Sequence, residues 1–369
     1  MLPNIKLGVL SHYLRKGGIF EERSFFQNLT IAGKRVGVDV YIFAPSNVDE
    51  VNQRIHAHAY RPATKNWRRI WIPYPDLFLD RSRFHSVQRY RATSGFRKRN
   101  PQLTFISSPL ANKWNLFQQL MKKSMVRPYL PPTVLYRSFD DLRRELLSKN
   151  IIFLKPINGT GGRGILRIER LSSGVYSVQG RLPNRRIMPE RKVNLPQLRA
   201  IVQQNEPANR YIIQQGIDLK LKNGSVHDYR LLLQKNGSGK WEITGCVGRV
   251  GPSGSITSNL HGGGRAVEMS KLLRYWFGSQ KKADLIAEEI YRFGFLIVET
   301  LESVYGKLCE LALDIAVAQD GRIWLLEVNS KPAREVFRRV GDRATYLKAI
   351  RRPLEYAKWL YRSRSGELL

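Results

Sequence analysis

Asp314 and Glu327 flank an Asp320-Gly321 pair within LCELALDIAVAQDGRIWLLEVNSKP, residues 308 to 332. An Asp-Gly pair between apolar runs predicts a two-residue hairpin turn, because both central residues of a type I′ turn need positive φ. Counting back from that turn pairs Gln319 with Arg322 and Ala318 with Ile323. The same register sets Asp314 opposite Glu327, with Asn329 following on their face. Like charges directly across a ladder repel, and Leu, Ile, Val and Trp neighbours add a desolvation cost. The pair calls for a positive partner. Two carboxylates and an amide carbonyl suit a hard divalent cation such as magnesium, kept partly hydrated and shared with phosphate oxygens. The alternatives are solvent exposure or neutralisation by arginines of the chain itself.

Upstream, Gly159, Gly161 and Gly164 match G-x-G-x-x-G. A dinucleotide fingerprint needs a helix after the glycines, yet the alternating ILRIER follows, which reads as a strand. No Gly-Lys-Ser/Thr is present, so a P-loop is excluded. The glycines instead occupy the bend of an antiparallel hairpin, whose N–H groups can lie over phosphates as a kinase glycine loop does. Thr160, Gly162 and Arg163 belong to that bend. Lys155 on the incoming strand can reach an α- or β-phosphate.

The elements that must position these groups follow from periodicity. IKLGVLS and VDVYIFAP read as buried strands around an amphipathic helix, a β-α-β unit that implies a parallel α/β sheet, with a further strand at Leu103 to Ser107. ANKWNLFQQLMKK and FDDLRRELLSKN read as helices; IIFLKP, ILRIER and VYSVQG as three antiparallel strands. LPQLRAIVQQ is a helix capped by Asn194. DYRLLLQK and KWEITGCVGRV pair across NGSG, and KKADLIAEEIYRFGFLIVETL is a long helix before the terminal hairpin.

Composition bounds the rest. The chain has 369 residues, 42% of them hydrophobic, so two or three cored modules are expected. No run of eighteen apolar residues and no signal-peptide pattern appears, giving the expectation of a soluble, cytoplasmic protein. Cys246 and Cys309 lie in apolar runs without disulfide or zinc spacing. Lys and Arg number 62 against 30 Asp and Glu, a net charge of +32. Such a surface attracts an acidic polymer or peptide. Nucleic acid is the less favoured partner, since no zinc-finger or RNP-type signature accompanies the charge.

The order of lysine with glycine hairpin, arginine-bearing strand pair, and Asp…Glu-x-Asn hairpin resembles the ATP-grasp superfamily. It is nearest the branch holding glutathione synthetase and the ligases that add glutamate to a ribosomal protein. Their patterns D-x-R, R-S-N-L-H-R-G-G and D…E-V-N-S are met here by Asp228-Tyr229-Arg230, by Thr257-Ser258-Asn259-Leu260-His261-Gly262-Gly263-Gly264, and by Asp314 with Glu327-Val328-Asn329-Ser330. That similarity covers about residues 110 to 360. Over the whole length, including WIPYPDLFLDR from Trp71 and NKWNLFQQLMKK from Asn112, the chain resembles the YheC/YheD family of endospore coat-associated proteins.

The resemblance implies an ATP-grasp fold with a Rossmann-like pre-ATP-grasp domain at 1–109, a small lid subdomain at 110–210, and a C-terminal subdomain at 211–369. It implies ATP held by Lys155 with Lys113 as a second lysine, by the glycine bend, and by the connector Gln214, Gln215, Gly216 and Ile217, whose backbone would read adenine. Arg230 and Arg249 would neutralise a γ-phosphate or acyl phosphate, Asn259 and His261 would meet the acceptor, and Asp314, Glu327 and Asn329 would hold one or two magnesium ions, manganese being the alternative. The implied activity is an ADP-forming ligation of an unknown carboxylate and nucleophile, with spore-coat association. A nucleotide-binding coat component without turnover and a basic nucleic-acid-binding protein are the competing readings. Gly262 stands where the glutamate-adding relatives have arginine, and Lys331 replaces a small residue, so substrate identity does not carry over.

Overall fold

The computed structural model describes residues 4–14, 20–83, 86–159, 162–182, 184, 186–204 and 209–366, together with the backbone of residue 205. Its first sheet grows from β1 (Ile5–Leu10), almost wholly buried. Helix α1 (Arg23–Val36) ends at Gly37 in the left-handed region, φ 77°, and returns the chain to β2 (Val38–Phe43), parallel to β1 as expected. β3 (Val48–Asp49), β4 (Arg54–Arg61) and β5 (Asn66–Pro73) then join antiparallel, and β6 (Leu77–Asp80) pairs parallel on the other side of β1. The sheet is therefore mixed, parallel only at its centre. The strand expected at Leu103 to Ser107 is reduced to one bridge between Phe105 and Phe78, made by Phe78 N donating to Thr104 O and Ile106 N to Phe78 O, both at 2.8 Å. Helix α2 (Val87–Arg99) starts at Ser86, whose hydroxyl accepts from Arg89 N, and buries Phe96 against the sheet.

The second sheet is antiparallel throughout. After α3 (Lys113–Met121), β7 (Thr133–Tyr136) and α4 (Phe139–Ser148) lead to β8 (Ile151–Pro156), β9 (Ile165–Ser172), β10 (Val175–Arg181) and β11 (Ile187–Val193). Helix α5 (Leu195–Asn205) opens on the expected cap, Asn194 Oδ1 accepting from Gln197 N at 3.0 Å, and β12 (Tyr211–Gln215) inserts between β8 and β7. The strand order is β11-β10-β9-β8-β12-β7. Leu142, Leu146, Leu198 and Val202 cover one face.

The third sheet, order β15-β14-β13-β16-β17, is built from β13 (His227–Lys235), β14 (Trp241–Val250), β15 (Arg265–Glu268), β16 (Glu310–Val317) and β17 (Ile323–Asn329). Between β15 and β16 run α6 (Met269–Phe277) and the long α7 (Gln280–Tyr305). Ile290, Phe293 and Ile297 of α7 pack on Leu231 and Leu313, burying one sheet face. After β17, α8 (Glu335–Arg339) and α9 (Arg343–Ser365) cover the opposite face. α9 also reaches the first sheet, where Ile350, Leu354 and Ala357 join the core of Leu7, Val9 and Phe26. Both cysteines are free thiols whose pKa values burial pushes up.

The β16–β17 turn departs from the expected one. Ala318 N donates to Arg322 O, so the loop holds three residues, and of Asp320 and Gly321 only Gly321 has positive φ, 98°. A three-residue loop closed by a left-handed glycine is the next hairpin type after the two-residue turn. It slips the register by one, pairing Val317 with Ile323 and Ile315 with Leu325. A bulge at Leu326 then takes up the slip, and Asp314 lies opposite Glu327.

Candidate functional site

A cavity opens between the second and third sheets. From the second sheet and its flanks it is lined by Lys113, Phe153, Lys155, Gly159, Gly162, Arg163 and Gln214; from the third by Asp228, Asn259, Asp314 and Glu327. Gln215 and Ile217 of the connector also line it. Most of the expected site residues are thus brought to one place. Thr160 and Gly161 lie outside the described residues. The backbone of His261 belongs to a tight turn at Leu260–Gly262, and its side chain is likewise outside the description.

Lys155 comes from β8 next to β12, and its Nζ donates to Gln214 Oε1 at 2.6 Å. Gln214 is itself fixed by donating Nε2 to Thr133 Oγ1 at 3.2 Å. Burial, and then the nearby charge of Lys113, lowers the Lys155 pKa to about 8, against the pull of Glu327, Asp314 and Asp228. A half-buried ammonium disfavoured by its surroundings gains from an arriving polyanion. Gly162 has φ 72°, and a Cβ there would lie 2.7 Å from Asn259 Nδ2, so the glycine bend and the Asn259 loop meet over the cavity only because this residue lacks a side chain.

In the connector, Gln215 N donates to Pro132 O at 2.9 Å and Gly216 N to Ile151 O at 2.8 Å. A Cβ on Gly216 would come within 2.3 Å of Ile151 Cγ2, which holds the connector tightly against β8. Two of the N–H groups expected to face a base are therefore spent within the sheet. Among the described residues, Ile217 N has no backbone partner.

The third sheet supplies the charges. Arg230 Nη2 donates to Asp314 Oδ2 at 2.9 Å, and its Nε bonds Oδ1 of the same carboxylate. Arg249, only 4% exposed, donates Nε to Asp228 Oδ1 at 2.7 Å and lies 3.1 Å from Asp314 Oδ2. Burial works against the Asp314 carboxylate, but Arg230 and Arg249 overcome it and hold its pKa below the usual carboxylate range. Glu327 pairs with Lys113, Nζ to Oε1 3.3 Å. The chain's own cations thus meet both acids, the alternative that the sequence left open, and neither arginine faces the cavity as an unpaired charge.

Asn329, opposite Ala312, nevertheless leaves a buried Nδ2 with no hydrogen-bond partner among the described residues. Buried polar groups are rarely left so. Among the described residues no three His, Cys, Asp or Glu side chains group as a metal set; the donors here are two carboxylates and an amide. The oxygens of that set suit a hard cation, whereas the Asn329 Nδ2, a donor, would be satisfied by an acceptor rather than by the ion.

Sequence reasoning gave no role to Asp228, which locks Arg249, or to Arg167, buried on the cavity wall and paired with Glu169 at 2.7 Å. It also passed over His227, whose Nδ1 lies 2.8 Å from Leu219 O while its Nε2 has no partner among the described residues. Charged or polar residues inside apolar strands were the available signal. At Gly262, where an arginine side chain is missing, Arg181 fills the space: its Nη1 lies 2.9 Å from where a Cβ would stand.

An antiparallel sheet with a glycine bend facing a second antiparallel sheet with paired carboxylates defines the ATP-grasp class. The structure of VanG D-Ala:D-Ser ligase from Enterococcus faecalis superposes with a TM-score of 0.56 at 12% identity, covering 97% of this chain and 99% of that one. D-cycloserine synthetase DcsG gives 0.55 at 12% identity over 97% and 99%. The fold is ATP-grasp.

More narrowly, the model of the YheC/D-like ATP-grasp family matches residues 102–360, and the chain belongs to that family. The endospore coat-associated protein YheC of Bacillus subtilis (strain 168) is 26% identical over 327 residues, 86% of this chain and 87% of that protein. Among the described residues no helix is long and apolar enough to cross a membrane.

Proposed function

We propose that the chain is an ATP- and magnesium-dependent ligase that activates a carboxylate as its acyl phosphate and passes the acyl group to an amine or another nucleophile. The observation that carries this reading is the convergence of Lys155, Lys113 and the Asp314–Glu327 pair on one cavity beneath the glycine bend. Lys155, freed from Gln214, would bind the nucleotide phosphates, and the N–H groups of the bend would lie over them. Asp314, Glu327 and Asn329 would hold magnesium, which when bound offsets charge on the transferring phosphoryl group. A substrate carboxylate oxygen attacks the γ-phosphorus as the bond to the ADP oxygen breaks. The nucleophile then adds to the acyl carbon, phosphate leaves, and the nucleophile's proton is lost. Arg249, fixed by Asp228, keeps Asp314 ionised and in place, and Asn259 faces the acceptor.

In this reading residues 110–210 form the lid module over a 211–369 module, with 1–109 as the preceding domain. From the relationship to the endospore coat-associated YheC we infer that the chain acts in sporulating cells and associates with the coat. Incubation with labelled ATP, magnesium and a panel of amino acids, peptides and spore extracts should release ADP with one acceptor and yield a product identifiable by mass. Glu327→Ala should abolish that release. The tight hold of Arg230 and Arg249 on Asp314 favours a second reading, a coat component that binds nucleotide without turnover. Magnesium-assisted ATP binding with no ADP release under any acceptor would select it.

A further inference from the structure

Beyond the nucleotide cavity, the first sheet ends on β5. This strand pairs with β4 from Arg61–Asn66 to Arg54–Pro73 and with no other strand among the described residues. Of its side chains only Ile72 is buried. Natural edge strands are commonly blunted by charge, and Arg68 and Arg69 could serve only that purpose. Blunting does not account for Trp71 at 51% and Ile70 at 37% exposure on the same edge. Nor does it account for the charge balance: Arg54 is paired with Asp49 at 2.8 Å, but Arg61, Lys65, Arg68 and Arg69 make no ion pair with a carboxylate among the described residues.

We propose that the outer edge of β5 binds an extended acidic segment of another polypeptide, added to the sheet as a strand. An open strand edge offers main-chain N–H and C=O groups in the pattern that an extended peptide completes. Because side chains alternate, Arg68 and Arg69 project to opposite faces, so acidic residues at successive positions of the added strand each meet a cation. Trp71 argues against a nucleic acid in this place. Its ring is already stacked with His56, centroids 4.8 Å apart and 12° from parallel, and lies under the Arg54 guanidinium at 4.5 Å. A base would need that ring surface for stacking.

The test uses the full chain without nucleotide, so that its outcome is independent of any ligase activity. Fluorescence anisotropy would follow a labelled peptide of about ten residues alternating Glu and Thr, the same peptide with alternate amides N-methylated, and a single-stranded oligothymidylate of similar length. The Glu-Thr peptide should bind with an affinity that falls as salt rises. Arg68→Glu combined with Arg69→Glu should weaken it by about tenfold or more, and N-methylation should weaken it on the unaltered protein by a similar factor. If the methylated peptide binds as well as its parent, strand addition is wrong. If the oligothymidylate binds more tightly and loses that binding with the charge reversal, or if the reversal changes nothing, the acidic-peptide assignment is wrong.

Discussion

One face of β16 carries two buried carboxylates four positions apart, Glu310 opposite Gln234 and Asp314 opposite Arg230. Glu310 is closed on every side. It accepts from Arg81 Nη1 at 3.0 Å, from Gln234 Nε2 at 2.7 Å and from Arg334, while Arg81 also binds Glu22 at 2.7 Å and Pro332 O at 3.1 Å. Arg81 is 1% exposed and joins the end of the first sheet to the third sheet and to the segment after β17. Asp314 is equally buried and also held by arginine, yet the facing Glu327 is partly exposed and paired with Lys113 in the cavity lining. A network with every group satisfied rigidifies. The Asp314–Glu327 pair, unlike Glu310, lines the cavity.

Breaking the closed network should have the largest effect on folding. Removing one member of a buried ion cluster strands the others, so Arg81→Met is expected to cost about 3–5 kcal/mol of stability, read from the urea midpoint. A shift comparable to a surface substitution would show that the network anchors nothing. At the open end the effects should divide differently. Glu327→Gln disturbs a partly exposed pair with Lys113 and should change stability by no more than about 1 kcal/mol, while lowering ATP turnover by about a hundredfold or more. Were Glu327→Gln to unfold the protein and Arg81→Met to spare it, the contrast between the two carboxylates would be reversed.

A smaller effect sharpens the same contrast at the glycine bend. Gly162→Ala imposes a side chain at φ 72° and pushes it toward Asn259 Nδ2, 2.7 Å away. About 1 kcal/mol of stability should be lost, with a rise in the apparent KM for ATP that exceeds any change in kcat. Equal changes in both constants would mean that the bend and the Asn259 loop do not meet over the nucleotide.

The hairpin with Asp314 and Glu327 was legible in the sequence for a reason that needs correction. A two-residue turn and an unbroken ladder predict the facing pair; the chain reaches it by a three-residue loop and a compensating bulge at Leu326. Both steps are backbone events with no side-chain signature, and they cancel. The β-α-β start, the three antiparallel strands around the glycines and the Asn194 cap were readable because each is fixed by local periodicity or local hydrogen bonding. Arg81 was not. At the end of WIPYPDLFLDR it looks like any strand-end charge, and its partner Glu310 lies 229 positions further on. The basic stretch before Val193 gave no strand signal either, yet β11 forms there against β10.

Lys155 ties the open network to pH. In the free protein its pKa is held down to about 8, chiefly by burial and then by Lys113. Below that pH the ammonium is already present, so the affinity for a triphosphate should be nearly flat with respect to this group. A bound phosphate favours the charged form and raises the pKa, so nucleotide binding above pH 8 must take up a proton. The affinity should then fall by up to about tenfold per pH unit until the pKa of the bound state is passed. Calorimetry in buffers of different ionisation enthalpy at pH 8.5 should detect that uptake, and Lys155→Met should remove both the uptake and the slope. Lys155→Arg keeps a charge that does not titrate in this range, so it should flatten the profile while retaining more of the affinity than Lys155→Met. A slope that survives in Lys155→Met would assign the proton to another group and take Lys155 away from the phosphates.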